Sequence, residues 1–572
     1  MQIRNSTIIE MFEVFSDLLE INNDNPFRIR AYRNAARTIR ALSPEIYSMD
    51  DIATEMAHYP GIGKDLASKI NKIVQTGHFV PLDSLSKRIS VNLVNLMHIA
   101  GLGAKRVAFI HKKLGITSVD ELLDAAMNHK ICSLPGFGEK IEAAIIKGIY
   151  QIKNTQGNFL LSTGMEIALH CKNYMLTDNN VHNCTIAGSI RRYKEVIHDI
   201  DLLVSGCNPS EIMNHFLTYP DFKEIITKGE KKSTGITSTN LHIDIRLVDD
   251  LSYGSALHYF TGSQAHNIAI RTRGMRNNLK INEYGIYRDK SKVGGRNEKD
   301  VFDFVNLPFI EPELRENSGE IEAAEAGTLP ELITLSDLRG DLHTHTSITD
   351  GHATMEEMAE AAIMMGYSYM AVTDHSKRIF MAHGLNEQML LSRIDEMNEL
   401  NGKYQNFTIL KGIEVDILDN GQLDLDNGIL QYLDLTVCSV HSKMNLSKDM
   451  QTNRILKAME NPYFSILAHP TGRILNKRMP FEIDMEKIMY AAKERRICLE
   501  INAFPERMDL DSRYCRMAKE IGVKMVISTD AHSTLDLRYM HFGIGTARRG
   551  WIEKKDVINT LDTDELLQFL RR

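Results

Sequence analysis

Residues 198–204 read His198-Asp199-Ile200-Asp201-Leu202-Leu203-Val204. In a β-strand successive side chains alternate between two faces, so Asp199 and Asp201 share one face while Ile200, Leu202 and Val204 point into a core. A second stretch, Leu241-His242-Ile243-Asp244-Ile245-Arg246-Leu247, has the same alternation, with Leu and Ile inward and Asp244 outward. If the two strands are neighbours, three carboxylates meet on one face, and hard oxygen ligands of this kind hold Mg²⁺ or a similar cation. Solvated acids on an edge strand account more readily for one such Asp than for three.

Around these strands, residues from about Phe159 to Asp250 alternate helices with strand-like runs, including Thr185-Ile186-Ala187, and read as an α+β segment. From Thr7 to about Tyr150 the apolar spacing is helical throughout. That region contains an internal echo: Pro60-Gly61-Ile62-Gly63, Ala100-Gly101-Leu102-Gly103 and Pro135-Gly136-Phe137-Gly138, each followed by a helix carrying Lys or Arg. Two glycines flanking an apolar residue allow a tight turn, after which the helix N-terminus offers free N–H groups to a phosphate. One such GxG is equally a helix C-cap, but three in one region are harder to explain that way.

Beyond Leu338, short apolar runs ending in His, Asp or Glu alternate with helical stretches, the rhythm of a βα barrel with its site at the strand C-termini. Asp341-Leu342-His343-Thr344-His345 is followed by Asp350, and then come Asp374-His375, Glu414-Val415-Asp416, His441, His469 and Asp530-Ala531-His532. A lone histidine in such a place is usually a hydrogen-bonded core residue. Six strand ends carrying nine candidate ligands point instead to metal. A charged stretch from Glu311 to Glu331, with Pro312 and Pro330, separates this part from what precedes it.

The chain has 572 residues, enough for three or more folding units, with 43% hydrophobic and 25% charged residues, which excludes a disordered or fibrous chain. No apolar run is long enough for a membrane span and none imitates a signal peptide, so a cytoplasmic protein is expected. Seven scattered cysteines without a CxxC pair argue against a disulfide framework or a zinc ribbon. The net charge of -8 is uneven: residues 1–300 hold 37 Lys and Arg against 32 Asp and Glu, and residues 301–572 hold 30 against 43. Positive charge concentrates in residues 251–300, with nine basic and four acidic residues, which favours nucleic acid on the N-terminal side.

The carboxylate strands, with Gly188-Ser189-Ile190-Arg191-Arg192, Tyr259-Phe260-Thr261-Gly262-Ser263, Asn267, Arg271 and Ile281-Asn282-Glu283-Tyr284, follow the order of the nucleotidyltransferase site in DNA polymerase beta and resemble that family, family X. The resemblance implies that Asp199, Asp201 and Asp244 hold two Mg²⁺ or Mn²⁺ ions, one lowering the pKa of an attacking 3′-hydroxyl and one neutralising the departing pyrophosphate. By it Gly188, Ser189 and Arg192 hold the triphosphate, the Tyr259-Phe260 turn with Gly262 excludes a 2′-hydroxyl, and Asn267 and Arg271 contact the nascent pair and template. His198 and His242 stand where the family has a glycine and an arginine. The first eighty residues resemble the family's lyase domain through Ala31-Tyr32-Arg33-Asn34-Ala35-Ala36 and through Lys69, the match to its Schiff-base lysine. Asp65 and Pro81 replace two lysines of that domain, which leaves a solvated helix lysine as the other reading of Lys69. The three hairpins resemble the helix-hairpin-helix motifs of DNA repair proteins, which place Gly61, Gly63, Gly101, Gly103, Gly136 and Gly138 against a DNA backbone.

Residues from about 338 onward resemble the polymerase and histidinol phosphatase (PHP) family. By that resemblance His343, His345, Asp350, His375, Glu414, His441, His469, Asp530 and His532 bind up to three Mn²⁺ or Zn²⁺ ions in a distorted (β/α)₇ barrel that hydrolyses a phosphoester, with Asp341, His352, Asp374 and Asp416 in supporting or incidental places. The expected organisation is a helical lyase-like domain over 1–80, two further helix-hairpin-helix motifs over 81–150, a nucleotidyltransferase palm over 151–250, a thumb-like domain over 251–315, a linker over 316–337 and the PHP domain over 338–572. The expected function is gap-filling DNA synthesis in repair, on gapped or primer-template DNA with deoxynucleoside triphosphates, joined to a 3′→5′ exonuclease that also incises abasic sites. A monomer is expected. The rival reading is a DNA-docking module whose polymerase site has decayed and which delivers the phosphoesterase. A replicative polymerase subunit also carries a PHP segment, but is much longer and places it first.

Overall fold

Each glycine hairpin turns on one residue that a side chain would strain. The computed structural model describes residues 3, 5–40, 42, 46–59, 61–97, 99, 101–155, 157–379 and 382–571; Pro60 and Ala100, which open two of the hairpins, lie outside these. Gly61, Gly101 and Gly136 have φ of +78°, +88° and +83°, a left-handed conformation that costs a residue with a Cβ roughly 1–2 kcal/mol. The apolar residues that follow, Ile62, Leu102 and Phe137, are buried. Their N–H groups donate to the carbonyls of Tyr59, Ile99 and Leu134 at 3.1, 2.9 and 3.0 Å, so the same turn recurs three times. Gly63 and Gly103 are extended and cap the helices Lys64–Thr76 and Ala104–Leu114. Contacts divide the chain into two units, Met1–Gln156 with Asn476–Arg478, and Gly157–Leu475 with Met479–Arg572. In the first, the helices Asn5–Ile21, Pro26–Arg40 and their successors enclose one apolar core that includes the clustered rings of Phe12, Phe15, Tyr32 and Phe79.

The second unit begins with an α/β fold: β1 (Phe159–Leu160), β2 (Val181–Ile186), β3 (Val196–Ile197), β4 (Asp199–Gly206), β5 (Phe222–Thr227), β6 (Lys232–Thr237) and β7 (His242–Val248). The five-stranded sheet has the order β2-β4-β7-β6-β5, and β1 pairs with β3. Strands β4 and β7 are parallel neighbours; the other pairings are antiparallel. Ile200, Leu202, Val204, Ile243, Ile245 and Leu247 bury one face against the helices Leu161–Met175 and Pro209–Leu217, which turns the alternate residues to the other face. Next come the helices Tyr253–Thr261 and Gln264–Arg276, then β8 (Lys280–Asn282), β9 (Gly285–Arg288) and β10 (Ser291–Gly294) in one antiparallel sheet, and the helix Glu298–Asp303.

The stretch over 316–337, expected as a linker, is folded. Arg315 just before it is fully buried between the rings of Phe302 and Phe309 and bonded to Glu298 at 2.6 Å. Glu298 also takes both guanidinium nitrogens of Arg191, at 2.7 and 2.6 Å. Helix Glu320–Glu325 buries Glu320 against His266 at 2.8 Å, and Ala324 and Leu332 join a core with Phe302 and Trp551. The charged letters therefore conceal buried ion pairs, which composition does not distinguish from solvated ones.

Strands β11 (Gly340–Thr344), β12 (Tyr369–Val372), β13 (Thr408–Lys411), β14 (Glu414–Asp416), β15 (Val437–Ser439), β16 (Ile466–Leu467), β17 (Cys498–Asn502) and β18 (Met525–Ser528) are parallel and alternate with helices. Only Gly412 and Ile413 separate β13 from β14, so these are two halves of one bent strand and seven strands run round the barrel. The ends meet where His345 N–H donates to the Ala531 carbonyl at 2.8 Å. The barrel and the α/β fold share a core: Met508 and Phe542 pack with Ile197, Ile200 and Leu161, and Arg473 grips Glu195 through two bonds of 3.0 and 2.6 Å. No helix among the described residues is long and apolar enough to cross a membrane. Phe542→Ala should lower stability by about 3–5 kcal/mol, the cost of emptying a buried aromatic site, read as a shift in the urea midpoint of the full chain.

Candidate active sites

On the α/β sheet, Asp199 pairs with His242 and Asp201 with Asp244 across parallel strands in register. Burial, and then the neighbouring Asp199 and Asp244 carboxylates, push the Asp201 carboxyl up to about 7. Three crowded acids that repel one another in this way call for positive charge. Part of it comes from Lys232 of β6, whose Nζ lies 2.9 Å from Asp244 Oδ2, while the Thr234 hydroxyl donates to Oδ1 at 2.6 Å. Gly188 has φ of +61° and lies so close to the Asp201 carboxylate that any Cβ there would collide with it. Beside it Arg192 donates to the Thr261 carbonyl and to Glu316 at 3.1 Å, with Gly262 against its guanidinium. Ser189 stands in the short helix Gly188–Arg191. Tyr259 and Phe260 end the helix Tyr253–Thr261 with rings edge to face, and Asn267 donates to the Tyr259 carbonyl at 2.7 Å. Asn267 and Arg271 line one small cavity with His258, Tyr259 and Asn282.

In the barrel, all nine histidines and carboxylates expected as ligands lie in one connected cluster at the strand C-termini. Glu414, fully buried at the start of β14, lies 3.6 Å from His343, 3.6 Å from His345, 2.8 Å from His375, 3.4 Å from His441 and 3.2 Å from His469. Asp530 approaches His343 at 3.6 Å and His345 at 3.2 Å. Asp350 approaches His345, His375 and His532 at 3.7, 3.3 and 3.3 Å. Burial pushes the Glu414 carboxyl up, but His375 and His441 outweigh it and hold the group well below the usual carboxylate range. The ligand atoms form three overlapping sets: His345, Asp350, His375 and His532; His343, His345 and Asp530; His375, Glu414 and His441. All of the nine but His343 and His345 line a cavity of about 690 Å³.

Lys69 and the hairpins belong to the first unit. Lys69 Nζ donates to Asp65 at 2.5 Å and to the Tyr32 hydroxyl at 3.1 Å. Burial lowers its pKa, but the bonds to Asp65 and Tyr32 prevail and raise it, so the amine is held as a cation. His129, Cys132 and Glu142 also converge, at the third hairpin. There the buried Glu142 accepts from His129 Nδ1 at 2.7 Å and from the Cys132 N–H at 2.9 Å, which ties the hairpin to the helix that follows it.

Four family models match the chain: a helix-hairpin-helix domain over residues 3–79, a SAM-like helix-hairpin-helix tandem over 94–149, the DNA polymerase beta thumb over 256–316 and the PHP domain over 341–503. A Bacillus subtilis protein named DNA polymerase/3′-5′ exonuclease PolX is 35% identical over 571 residues, which cover 99% of both chains. The chain belongs to the bacterial family X DNA polymerases that carry a PHP domain. Probable phosphatases of Thermoanaerobacter sp. (strain X514) and of Caldanaerobacter subterraneus are 34% and 31% identical to it, over 40% of this chain and 94% and 90% of their own.

Membership in this family implies divalent metal, and the residues present fit it. His343 Nε2, both ring nitrogens of His345 and His375 Nδ1 are buried beside carboxylate oxygens yet not aligned to hydrogen-bond with them, an arrangement that a cation shared between the two kinds of group would satisfy. On the sheet, burial and then the neighbouring carboxylates raise the Asp201 carboxyl, and a bound cation would offset both.

Sequence reasoning missed several supporting groups of the barrel site. Glu500, buried in β17, the strand from which no ligand was expected, accepts from His343 Nδ1 at 2.7 Å and from the His469 N–H at 2.6 Å. Its signal was a carboxylate amid the apolar run Cys498-Leu499-Glu500-Ile501. Asn502 donates to Glu500 and to Asp530 at 3.2 and 3.1 Å. Two arginines, Arg507 at 3.3 Å from Asp530 and Arg378 at 3.0 Å from Asp416, line the same cavity. Asp416 accepts the His441 N–H at 3.1 Å, whereas Asp341 bonds Thr529 and joins β11 to the end of β18, and Asp374 bonds Thr346 and Thr349. Because Glu500 orients the ring of His343, Glu500→Gln should leave the chain folded and weaken Mn²⁺ retention about 10- to 100-fold, measured by chelator competition.

Proposed function

We propose that this chain is a DNA-directed DNA polymerase that fills short gaps in repair and trims 3′ ends with a second, metal-dependent 3′→5′ exonuclease site in its PHP barrel. The observation that carries the reading is the pairing of Asp201 with Asp244 in register, beside Asp199, on a sheet separate from the nine-residue cluster of the barrel. Asp199, Asp201 and Asp244 would hold two divalent cations, Mg²⁺ or Mn²⁺. When bound, such cations lower the pKa of a primer 3′-hydroxyl and balance the charge of the pyrophosphate that leaves. Gly188 and Ser189 with Arg192 receive the triphosphate, the Tyr259-Phe260 turn with Gly262 discriminates at the sugar, and Asn267 and Arg271 face the nascent base pair. The six hairpin glycines present backbone N–H groups to phosphates and so bind DNA by shape.

In the barrel, His343, His345, Asp350, His375, Glu414, His441, His469, Asp530 and His532 would hold up to three ions, Mn²⁺ or Zn²⁺. When bound, these polarise a phosphodiester and supply hydroxide near neutral pH. Arg507 and Arg378 set positive charge beside that cluster, where an anionic backbone enters. Abasic-site incision needs the same phosphodiester hydrolysis at an internal position of the strand. A lyase step through Lys69 needs a neutral amine, and the ion pair with Asp65 opposes it. The rival of a decayed polymerase site is not favoured: the three carboxylates stand together, and the relative that matches 99% of the chain is named a polymerase.

The two activities should separate by mutation. Asp244→Ala should reduce nucleotide addition on gapped DNA at least 1000-fold while DNA affinity and Mn²⁺-dependent 3′ degradation persist. The reverse pattern is expected of His343→Ala with His345→Ala, with the melting temperature followed alongside. Extension by the Asp244 variant at the unaltered rate would refute the polymerase assignment. Retained nuclease in a fully folded histidine variant would refute the barrel site.

A further inference from the structure

We infer that the barrel forms part of the polymerase's nucleotide pocket: Arg549, at the end of the barrel helix Met540–Arg549, is a positioning residue for Arg192. The inference rests on the reading above that Arg192 receives the triphosphate. Arg192 is the residue at which the short helix Gly188–Arg191 stops, so its carbonyl is left without a helical partner. That carbonyl accepts from Arg549 Nη1 at 2.6 Å. The same nitrogen lies 3.0 Å from Glu316 Oε1, and the same oxygen accepts from Arg192 Nε at 3.1 Å. One guanidinium thus fixes both the main chain of Arg192 and the carboxylate that aims its side chain. The loop is shielded, with side-chain exposures of 11% for Arg192, 22% for Glu316 and 15% for Arg549.

The surroundings hold Arg549 in place. Tyr193, the next residue, lies against Gly545 one turn back along the same helix, so closely that a Cβ at Gly545 would overlap its ring. Arg548 bonds Glu313 at 2.7 Å, and Phe542 and Tyr539 pack into the core of the α/β fold. Arg549 therefore approaches the nucleotide pocket from a rigid element. It bonds the Arg192 carbonyl and Glu316 rather than a carboxylate of the triad or a residue of the barrel cluster.

A long cationic side chain ordered before binding spares the triphosphate that ordering, so loss of Arg549 should act on substrate binding rather than on chemistry. In single-nucleotide gap filling by the full chain, Arg549→Met should raise KM for the nucleotide about 3- to 10-fold, the equivalent of freeing one such side chain, with kcat within about twofold of wild type. Affinity for gapped DNA and Mn²⁺-dependent 3′ degradation should not change. Arg549→Lys, which keeps the cation on a shorter stem, should recover part of the loss. Arg192→Ala serves as the reference and should raise KM further. If Arg192→Ala is impaired and Arg549→Met keeps the wild-type KM, the positioning role is refuted while the nucleotide reading stands. If Arg192→Ala keeps the wild-type KM, the reading of Arg192 itself falls and takes the proposal with it. A parallel fall of kcat, nuclease activity and melting temperature in Arg549→Met, without rescue by lysine, would reduce Arg549 to an interdomain clasp and overturn the proposal.

Discussion

A carboxylate with no access to water must find positive charge or give up its own, because desolvating an isolated ion costs far more than a folded domain's net stability. Glu414 meets that requirement with five histidines drawn from four other strand ends of the barrel. The arrangement works only if β11, β12, β15 and β16 all finish at one level around β14, and so the barrel's closure and its chemistry impose the same constraint. Glu500 and Asn502 extend the constraint into β17, and Asp530 extends it into the loop after β18. Imidazole nitrogens and carboxylate oxygens face one another at the centre of that network without aligned hydrogen bonds, an arrangement that suits a shared cation.

The α/β fold applies the same electrostatic logic. Its three aspartates lie on the face of the sheet opposite the packed one, and the Asp201 carboxyl is raised first by its burial and then by repulsion from Asp199 and Asp244. Lys232 and the nearby arginines moderate that repulsion. The two acidic clusters share no residue, although the sheet and the barrel are joined through Met508, Phe542 and the Arg473–Glu195 pair. The joint is apolar at its centre and ionic at its edge, which favours a fixed geometry over a flexible tether.

What was hard to read was charge in context. Glu313, Arg315 and Glu320 are written in a charged stretch that reads as a domain boundary, yet they are buried in pairs with Arg548, Glu298 and His266, up to 235 residues away. Lys69 shows the same difficulty at short range: its position in the helix suggests a nucleophile, and only the placement of Asp65 and Tyr32 around the amine shows that its proton is held. The third hairpin's Glu142 looks like an ordinary helix acid until its bonds to His129 and Cys132 are seen.

The sequence by itself determined whatever depends on local periodicity. Alternation placed Asp199, Asp201 and Asp244 on one side of their strands, paired glycines forced the three hairpin turns, and apolar runs ending in His, Asp or Glu marked the barrel's strand ends. Each of these follows from backbone geometry over a few residues. Only the tertiary structure decided which strands are neighbours, and therefore that Asp244 stands beside Asp201, that Glu414 is the hub of the histidines and that Glu500 backs His343. It alone brought Arg549 to Arg192, 357 positions earlier in the chain. Contacts of that separation depend on how whole elements pack, and packing is set by the summed burial of many side chains rather than by any short pattern that one of them displays.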